Sequence, residues 1–243
     1  MVFCMQPSVR AAYRAQEADV GTSIIAVYNK LNGRAPHTSS ELVRYSAREL
    51  APLIEPMDGE RAPWLEGYRI NIVDGNCLEA REHRLQELRQ ATGRALPGKS
   101  FVVYAPAQGL VTHVFPCEDG QAQERSLLGA VLQSVRQAEL WIADRHFCTR
   151  AFLTEIDSRG GFFVIREHRG VPWEMISSRR SCGRPRTGPL AEQRGRVVDA
   201  QGHTHGFRRL RSKLHHATRD GATLLSILTN VPRQGSAHHV AQR

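Results

Sequence analysis

The sequence predicts an α/β protein: a mixed sheet with flanking helices, preceded by a small N-terminal helical region and continued by a β-rich, basic stretch. Three observations lead there. Residues 8–54 place apolar side chains at helical spacing, and from Arg69 to Ile165 the pattern reads strand, hairpin, helix, strand, helix, strand. Such an order is satisfied by a mixed sheet whose parallel strands are joined through right-handed helical crossovers. Beyond Ile165, short strand-like runs alternate with glycine-bearing turns, and Arg166 to Arg219 hold 13 Lys and Arg against 4 Asp and Glu. That excess equals the net charge of +9 carried by the whole 243-residue chain, so the basic character is concentrated in one stretch.

The elements follow in order. Ser8 to Glu17 favours helix, Val20–Ser23 interrupts it, and Ile24 to Leu31 resumes before Asn32-Gly33. Two short helices about a tight turn read equally as a helix-turn-helix or as an ordinary helical hairpin. The third helix has Thr38 as N-cap, Glu41 as its capping-box partner, and Leu42, Tyr45, Leu50 and Leu53 on its apolar side. Met57–Pro63 is a linker. Arg69–Val73 alternates and ends at Asp74-Gly75, a pair that also signals a hairpin, whereas Leu78 to Arg89 favours helix. Phe101–Ala105 and Leu110–Phe115 form a hairpin over Pro106–Gly109. Leu127, Leu128, Val131, Leu132 and Val135 mark the apolar face of a helix. Leu140–Ala143 is a continuous apolar run, as expected of a strand covered on both faces. Thr149 caps the next helix, and Gly160-Gly161 ends it before the strand Phe162–Ile165. In the basic stretch, Arg196–Asp199 and Phe207–Arg211 read as strands, while Ser181–Pro189 has the composition of a disordered loop.

Composition narrows the function. A hydrophobic fraction of 41% and a charged fraction of 23% suit a soluble protein with a real core. The pI near 9.9 favours polyanionic partners, with nucleic acid foremost. No apolar run is long enough to span a bilayer and the start lacks a signal-peptide pattern, so the expected location is cytoplasmic and no membrane partner is expected. Cys4, Cys77, Cys117, Cys148 and Cys182 are scattered and odd in number, which fits a reducing compartment and buried thiols. His203, His205, His215 and His216 lack cysteine or carboxylate partners at finger spacing, so no zinc site is expected.

Asp144 stands just past a buried strand, where open α/β sheets place their ligands. Alone it reads as well as a helix-capping or arginine-paired aspartate. Asp74 supplies the partner: if the two strands are neighbours, both carboxylates converge at one sheet edge. Two carboxylates there suit a hard divalent cation, Mg²⁺ or Mn²⁺, that keeps waters and takes phosphate oxygens. Beside a basic stretch, the implied substrate is a nucleic-acid phosphodiester. Arg145, Arg166, Arg208, Arg209, Arg211 and Lys213 are the candidate DNA contacts.

Ile72–Gly75, the hairpin, Trp141–Thr149, Phe163–Arg166 and Leu228–Pro232 together resemble the core of DDE transposases of bacterial insertion sequences, and more narrowly insertion sequence family four. The resemblance covers residues 8–232. It implies an RNase H-like fold with a β-strand insertion, Asp74 and Asp144 as the first two metal-binding acids, and nicking of transposon ends followed by strand transfer to target DNA. The divisions it implies are a helical region at 1–60, a catalytic core at 64–168, the basic insertion at 169–232 and an aberrant tail at 233–243. Relatives continue past the Leu-Thr-Asn-x-Pro block into a helix bearing the third acid, a glutamate; here no Asp or Glu follows Asp220. The expectation is therefore a truncated or frameshifted, inactive copy. The alternative is a DNA-binding remnant that competes with an intact transposase. A nuclease with a different third ligand, Glu167 or His168, is the remaining enzyme reading, and a homodimer on DNA stays open.

Overall fold

The computed structural model describes residues 8–32, 36–78, 98–117, 127–168, 170–218 and 221–233. Four helices come first: α1 (Val9–Ala15), α2 (Glu17–Val20), α3 (Ile24–Asn32) and α4 (Pro36–Ile54). Ser8 caps α1 by accepting from the Ala11 N–H at 3.1 Å, and Ser23 does the same for Ala26 at 3.2 Å. Gly21 makes the turn between α2 and α3 with φ of 60°, a value cheap only for glycine.

Two expectations about α4 are corrected. The helix begins at Pro36, where a missing N–H costs nothing, so Thr38 lies inside the first turn and caps nothing. Its large apolar residues do not face the core either: Leu42 is 63% exposed and Leu53 54%, while Ser40 and Ala47 are buried as α4 packs on the sheet. Small side chains let the helix approach the strands closely, and the broad apolar stripe is left outward.

Among the described residues ten strands form one sheet: β1 (Arg69–Leu78), β2 (Gly98–Ala105), β3 (Leu110–Cys117), β4 (Glu139–Ala143), β5 (Phe162–Arg166), β6 (Glu174–Met175), β7 (Arg180–Ser181), β8 (Leu190–Val198), β9 (Thr204–Lys213) and β10 (Leu224–Thr229). Their order is β3-β2-β1-β4-β5-β10-β9-β8-β6, with β7 also on β8. Only β1, β4 and β5 are mutually parallel, joined through α5 (Leu128–Ser134) and α6 (Arg150–Ser158); the other pairings are antiparallel. This is a mixed α/β architecture of the RNase H-like kind. The β-rich stretch extends the sheet, with β10 between core strand β5 and β9. Residues 181–189, read as a disordered loop, are held: the Cys182 N–H donates to Leu190 O at 2.8 Å, and the Leu190 N–H to Gly183 O at 2.9 Å.

The core lies under α5 and α6, where Leu128, Val131, Leu132, Phe152, Leu153 and Ile156 meet Val73, Val103, Trp141, Phe163, Ile165 and Leu228. Phe147 bridges the layers, its ring 4.8 Å from Phe101 and 5.9 Å from Phe152. Glu139 and Asn230 each tie neighbouring segments together. Glu139, in β4, accepts from the Arg136 N–H at 2.8 Å and from Trp141 Nε1 at 3.2 Å, and meets Arg69 Nη2 at 2.9 Å. Asn230 joins the end of β10 to the start of β5: its Oδ1 accepts from the Phe163 N–H at 2.8 Å, and its Nδ2 donates to Gly161 O at 2.9 Å and Asp157 Oδ1 at 2.7 Å.

Candidate active site

β1 and β4 run parallel with Val73 opposite Ala143 as their last pair, so Asp74 and Asp144 are the next residue on each strand. Neighbouring strands lie about 4.8 Å apart, so the two aspartates stand side by side at the carboxyl edge of β4. Asp74 does not end its strand, as the sequence suggested. β1 continues to Leu78 against β2, and Asp74 marks the point where its pairing with β4 stops. Nor does Gly75 turn the chain: a Cβ there would lie 3.1 Å from a ring carbon of Phe101, so the residue is small because an aromatic edge lies against it. The helix expected from Leu78 to Arg89 falls beyond the described residues, apart from Leu78 itself, which belongs to β1.

Asp144 also does what its simpler reading anticipated. Its Oδ1 accepts from the His146 N–H at 2.6 Å, capping a single 3₁₀ turn, Arg145–Phe147. Asp74 Oδ1 accepts from the Gly75 N–H at 2.9 Å. Among the described residues these hydrogen bonds engage one oxygen of each carboxylate. Thr149 then caps α6, accepting from the Phe152 N–H at 3.2 Å, which fixes where the chain goes after Asp144.

No group of three His, Cys, Asp or Glu that could hold a metal occurs among the described residues. Glu167 stands just past β5, at the same carboxyl edge as Asp144 but by the register on the opposite face, and it is committed elsewhere. Its carboxylate is 8% exposed and bonded at 2.8 Å to Arg209 Nε, and Arg209 stacks over Trp173 at 4.8 Å. Trp173 in turn lies on Gly195, where a Cβ would come within 2.2 Å of its ring. Burial pushes the nearby Cys148 thiol up to about 11, against a bond from the His168 backbone and with help from the Glu167 charge, so it is a neutral core group and no nucleophile.

The basic residues divide by environment. Arg208 donates through Nη1 to Glu192 Oε1 at 3.1 Å and through Nε and Nη2 to the Val231 carbonyl, and Arg209 is held by Glu167. Arg145 is exposed at the start of the 3₁₀ turn, Arg166 ends β5 opposite Ile227, and Lys213 is exposed at the end of β9; Arg145 and Arg166 both have interaction partners. Arg211 Nε is buried with no hydrogen-bond partner. The histidines form a further network: His205 lies between Asp157, 2.7 Å from Nδ1, and Asp199, 3.2 Å from Nε2. Burial opposes its charge, but the two carboxylates outweigh burial and raise its pKa. The Glu167–Arg209–Trp173 stack and the Asn230 lock carried no signal in sequence, because each joins residues far apart in the chain.

Asp74 and Asp144 thus follow the last pair of the parallel β1–β4 seam, in a sheet whose extension carries many arginines. The family model for the transposase DDE domain matches residues 65–242, and the chain belongs to that family. Its role is accordingly in transposition, which implies DNA as partner. No individual curated relative matches the sequence. No helix among the described residues is long and apolar enough to cross a membrane.

Proposed function

We propose that Asp74 and Asp144 are the first two acids of a DDE site that nicks DNA at transposon ends and joins the freed 3′-hydroxyl to target DNA. The observation that supports this is the β1–β4 register, whose last pair, Val73 and Ala143, makes Asp74 and Asp144 the next residues of two neighbouring parallel strands. That donor set fits Mg²⁺ or Mn²⁺, which needs only one or two carboxylates beside waters and phosphate oxygens. When bound, the cation supplies Lewis-acid stabilisation of the reacting phosphate and of the attacking oxygen. The chain's own residues supply position. The Val73–Ala143 pair fixes the spacing of the acids, the His146 N–H orients the Asp144 carboxylate, and the arginines of the extended sheet hold the phosphate backbone. In the finer reading the chain is of insertion sequence family four, works in the cytoplasm and acts as a dimer on DNA.

A second reading is favoured by a specific observation: among the described residues no third metal-binding side chain joins Asp74 and Asp144. Positioning and charge stabilisation supply most of phosphoryl-transfer catalysis, and loss of one member of a cooperating set commonly costs orders of magnitude. This chain by itself then binds DNA and competes with an intact transposase without transposing. The test is cleavage and strand transfer on DNA carrying the element's ends, with Mg²⁺ or Mn²⁺, beside Asp144→Ala. Activity near background in both supports the second reading, and strong activity that Asp144→Ala abolishes supports full catalysis.

A further inference from the structure

α4, β3 and α5 enclose an open groove with space of about 770 Å³. α4 lends Ser40 and Arg44 to its walls, β3 lends His113 and Phe115, and the α5 side lends Ala130 and Arg136. Past Arg44 and His113 it continues toward Arg69 and Trp141 as a second hollow of about 450 Å³. Both volumes are those of small-molecule sites. His113 stands opposite Val103 in the hairpin, and Val103 opposite Val73 in β1. Side chains alternate along a strand, so His113 lies on the face of Val73 and not on that of its neighbour Asp74. The groove is therefore separate from the paired acids.

Most charges around it are matched within the chain. Arg44 Nη1 meets Glu41 at 3.0 Å, Arg48 Nε meets Glu49 at 3.4 Å and Arg69 Nη2 meets Glu139 at 2.9 Å. His37, at the exposed rim, is 3.9 Å from Glu41. The Arg136 guanidinium is different: its Nη1 donates to the Gln133 and Val135 carbonyls, at 2.8 and 3.3 Å, and among the described residues no carboxylate meets it. His113 adds a base. The Thr112 hydroxyl gives its one proton to Val103 O at 3.3 Å, so its oxygen accepts from His113 Nδ1 at 3.1 Å. The lone pair of the neutral ring is then on Nε2, which has no hydrogen-bond partner among the described residues. Burial foremost, and then Arg44 and Arg136, lower the His113 pKa against the opposing Glu41 charge, so the ring is neutral at pH 7. It stacks on Phe115 at 5.9 Å with the planes 4° apart. The groove thus combines one uncompensated cation, one basic nitrogen and an apolar wall.

We propose that this groove binds a small phosphate monoester, with the phosphate between Arg44, Arg136 and His113 and the organic body against Phe115, Leu127 and Ala130. Charge decides the class of ligand. A phosphate dianion brings two negative charges to one unmatched cation, and a proton taken from solvent, shared between a phosphate oxygen and Nε2, closes the balance. A carboxylate at pH 7 brings only acceptors to a neutral Nε2. The site goes beyond transposition and does not depend on the paired acids.

The test is calorimetric titration of the full chain with benzyl phosphate at pH 7, in buffers of differing ionisation enthalpy. One saturable site that takes up protons as it fills is the expected result. Arg136→Gln should weaken it about ten- to a hundredfold, the loss of a charge-assisted hydrogen bond, and Arg136→Lys should weaken it less. His113→Gln should weaken binding and abolish the proton uptake. Arg10→Ala, exposed on α1, should change neither. Melting temperatures are read in parallel; if Arg136→Gln does not fold, the proton uptake and its loss in His113→Gln decide. No saturable binding, binding without proton uptake, or unchanged affinity in a folded Arg136→Gln overturns the proposal. Equal affinity for benzoate makes the site one for carboxylates, and equal affinity for benzyl alcohol makes it merely apolar. Displacement of benzyl phosphate by a short DNA duplex makes it part of a nucleic-acid track. Each of these three also overturns the assignment.

Discussion

Asn230→Ala should cost the fold about 3–5 kcal/mol. The side chain makes three hydrogen bonds, to the Phe163 N–H, to Gly161 O and to the Asp157 carboxylate. Net values are about 0.5–1.5 kcal/mol for each neutral bond and about 1.5–3 for one to a charged group, and truncation leaves the backbone partners unsatisfied. Against a total stability of about 5–15 kcal/mol, this is about a fifth of the whole or more. Equilibrium urea unfolding of the full chain reads it as a lower midpoint at unchanged slope. Asn230→Asp sharpens the test. It keeps the acceptor for Phe163 but sets a carboxylate against Asp157, raising the folded-state pKa of the pair. Its penalty should be largest at neutral pH and shrink as pH falls. A loss below about 1 kcal/mol for Asn230→Ala would refute the claim that this residue locks β10 to β5.

Further outcomes follow from other contacts. His205, whose pKa the two flanking carboxylates raise above the ordinary 6.5, contributes stability that is fully present below that value and is lost as pH rises through the folded-state value. Melting temperature should therefore fall over that interval in the unmodified chain and change less in His205→Gln. Gly195→Val should displace Trp173 and destabilise the chain by several kcal/mol, about the cost of a severe core clash, as read by urea unfolding. Cys148, buried and with its pKa pushed up to about 11, should resist iodoacetamide at pH 8 in the folded chain and react after denaturation, as peptide mass mapping will show.

Local signals carried much of the fold. The Leu140–Ala143 run, the Thr149 cap and the Gly160-Gly161 stop each act within a few residues, so strand, cap and helix end could be read directly. Periodicity on α4 revealed an apolar stripe but not which side would pack, and the buried side proved to be that of Ser40 and Ala47. At Asp74-Gly75 a local turn signal competed with a tertiary cause, the Phe101 ring beside Gly75. The position of Asp144 past a strand was legible from the apolar run before it, whereas that of Asp74 was not, because β1 runs on to Leu78 against β2. The roles of the arginines were not, since a charge count cannot tell that Arg209 meets Glu167 from 42 residues away while Arg211 meets no acceptor.

The central claim is that Asp74 and Asp144 share one divalent cation. Mn²⁺ titration followed by electron paramagnetic resonance tests it without requiring turnover, using the unmodified chain, Asp74→Asn and Asp144→Asn. Asparagine can still accept the His146 N–H, so the 3₁₀ turn should survive the second substitution. The account predicts one saturable site in the unmodified chain that is lost in each single variant while melting temperatures hold. A site that survives in either variant, or no site in the unmodified chain, would contradict it.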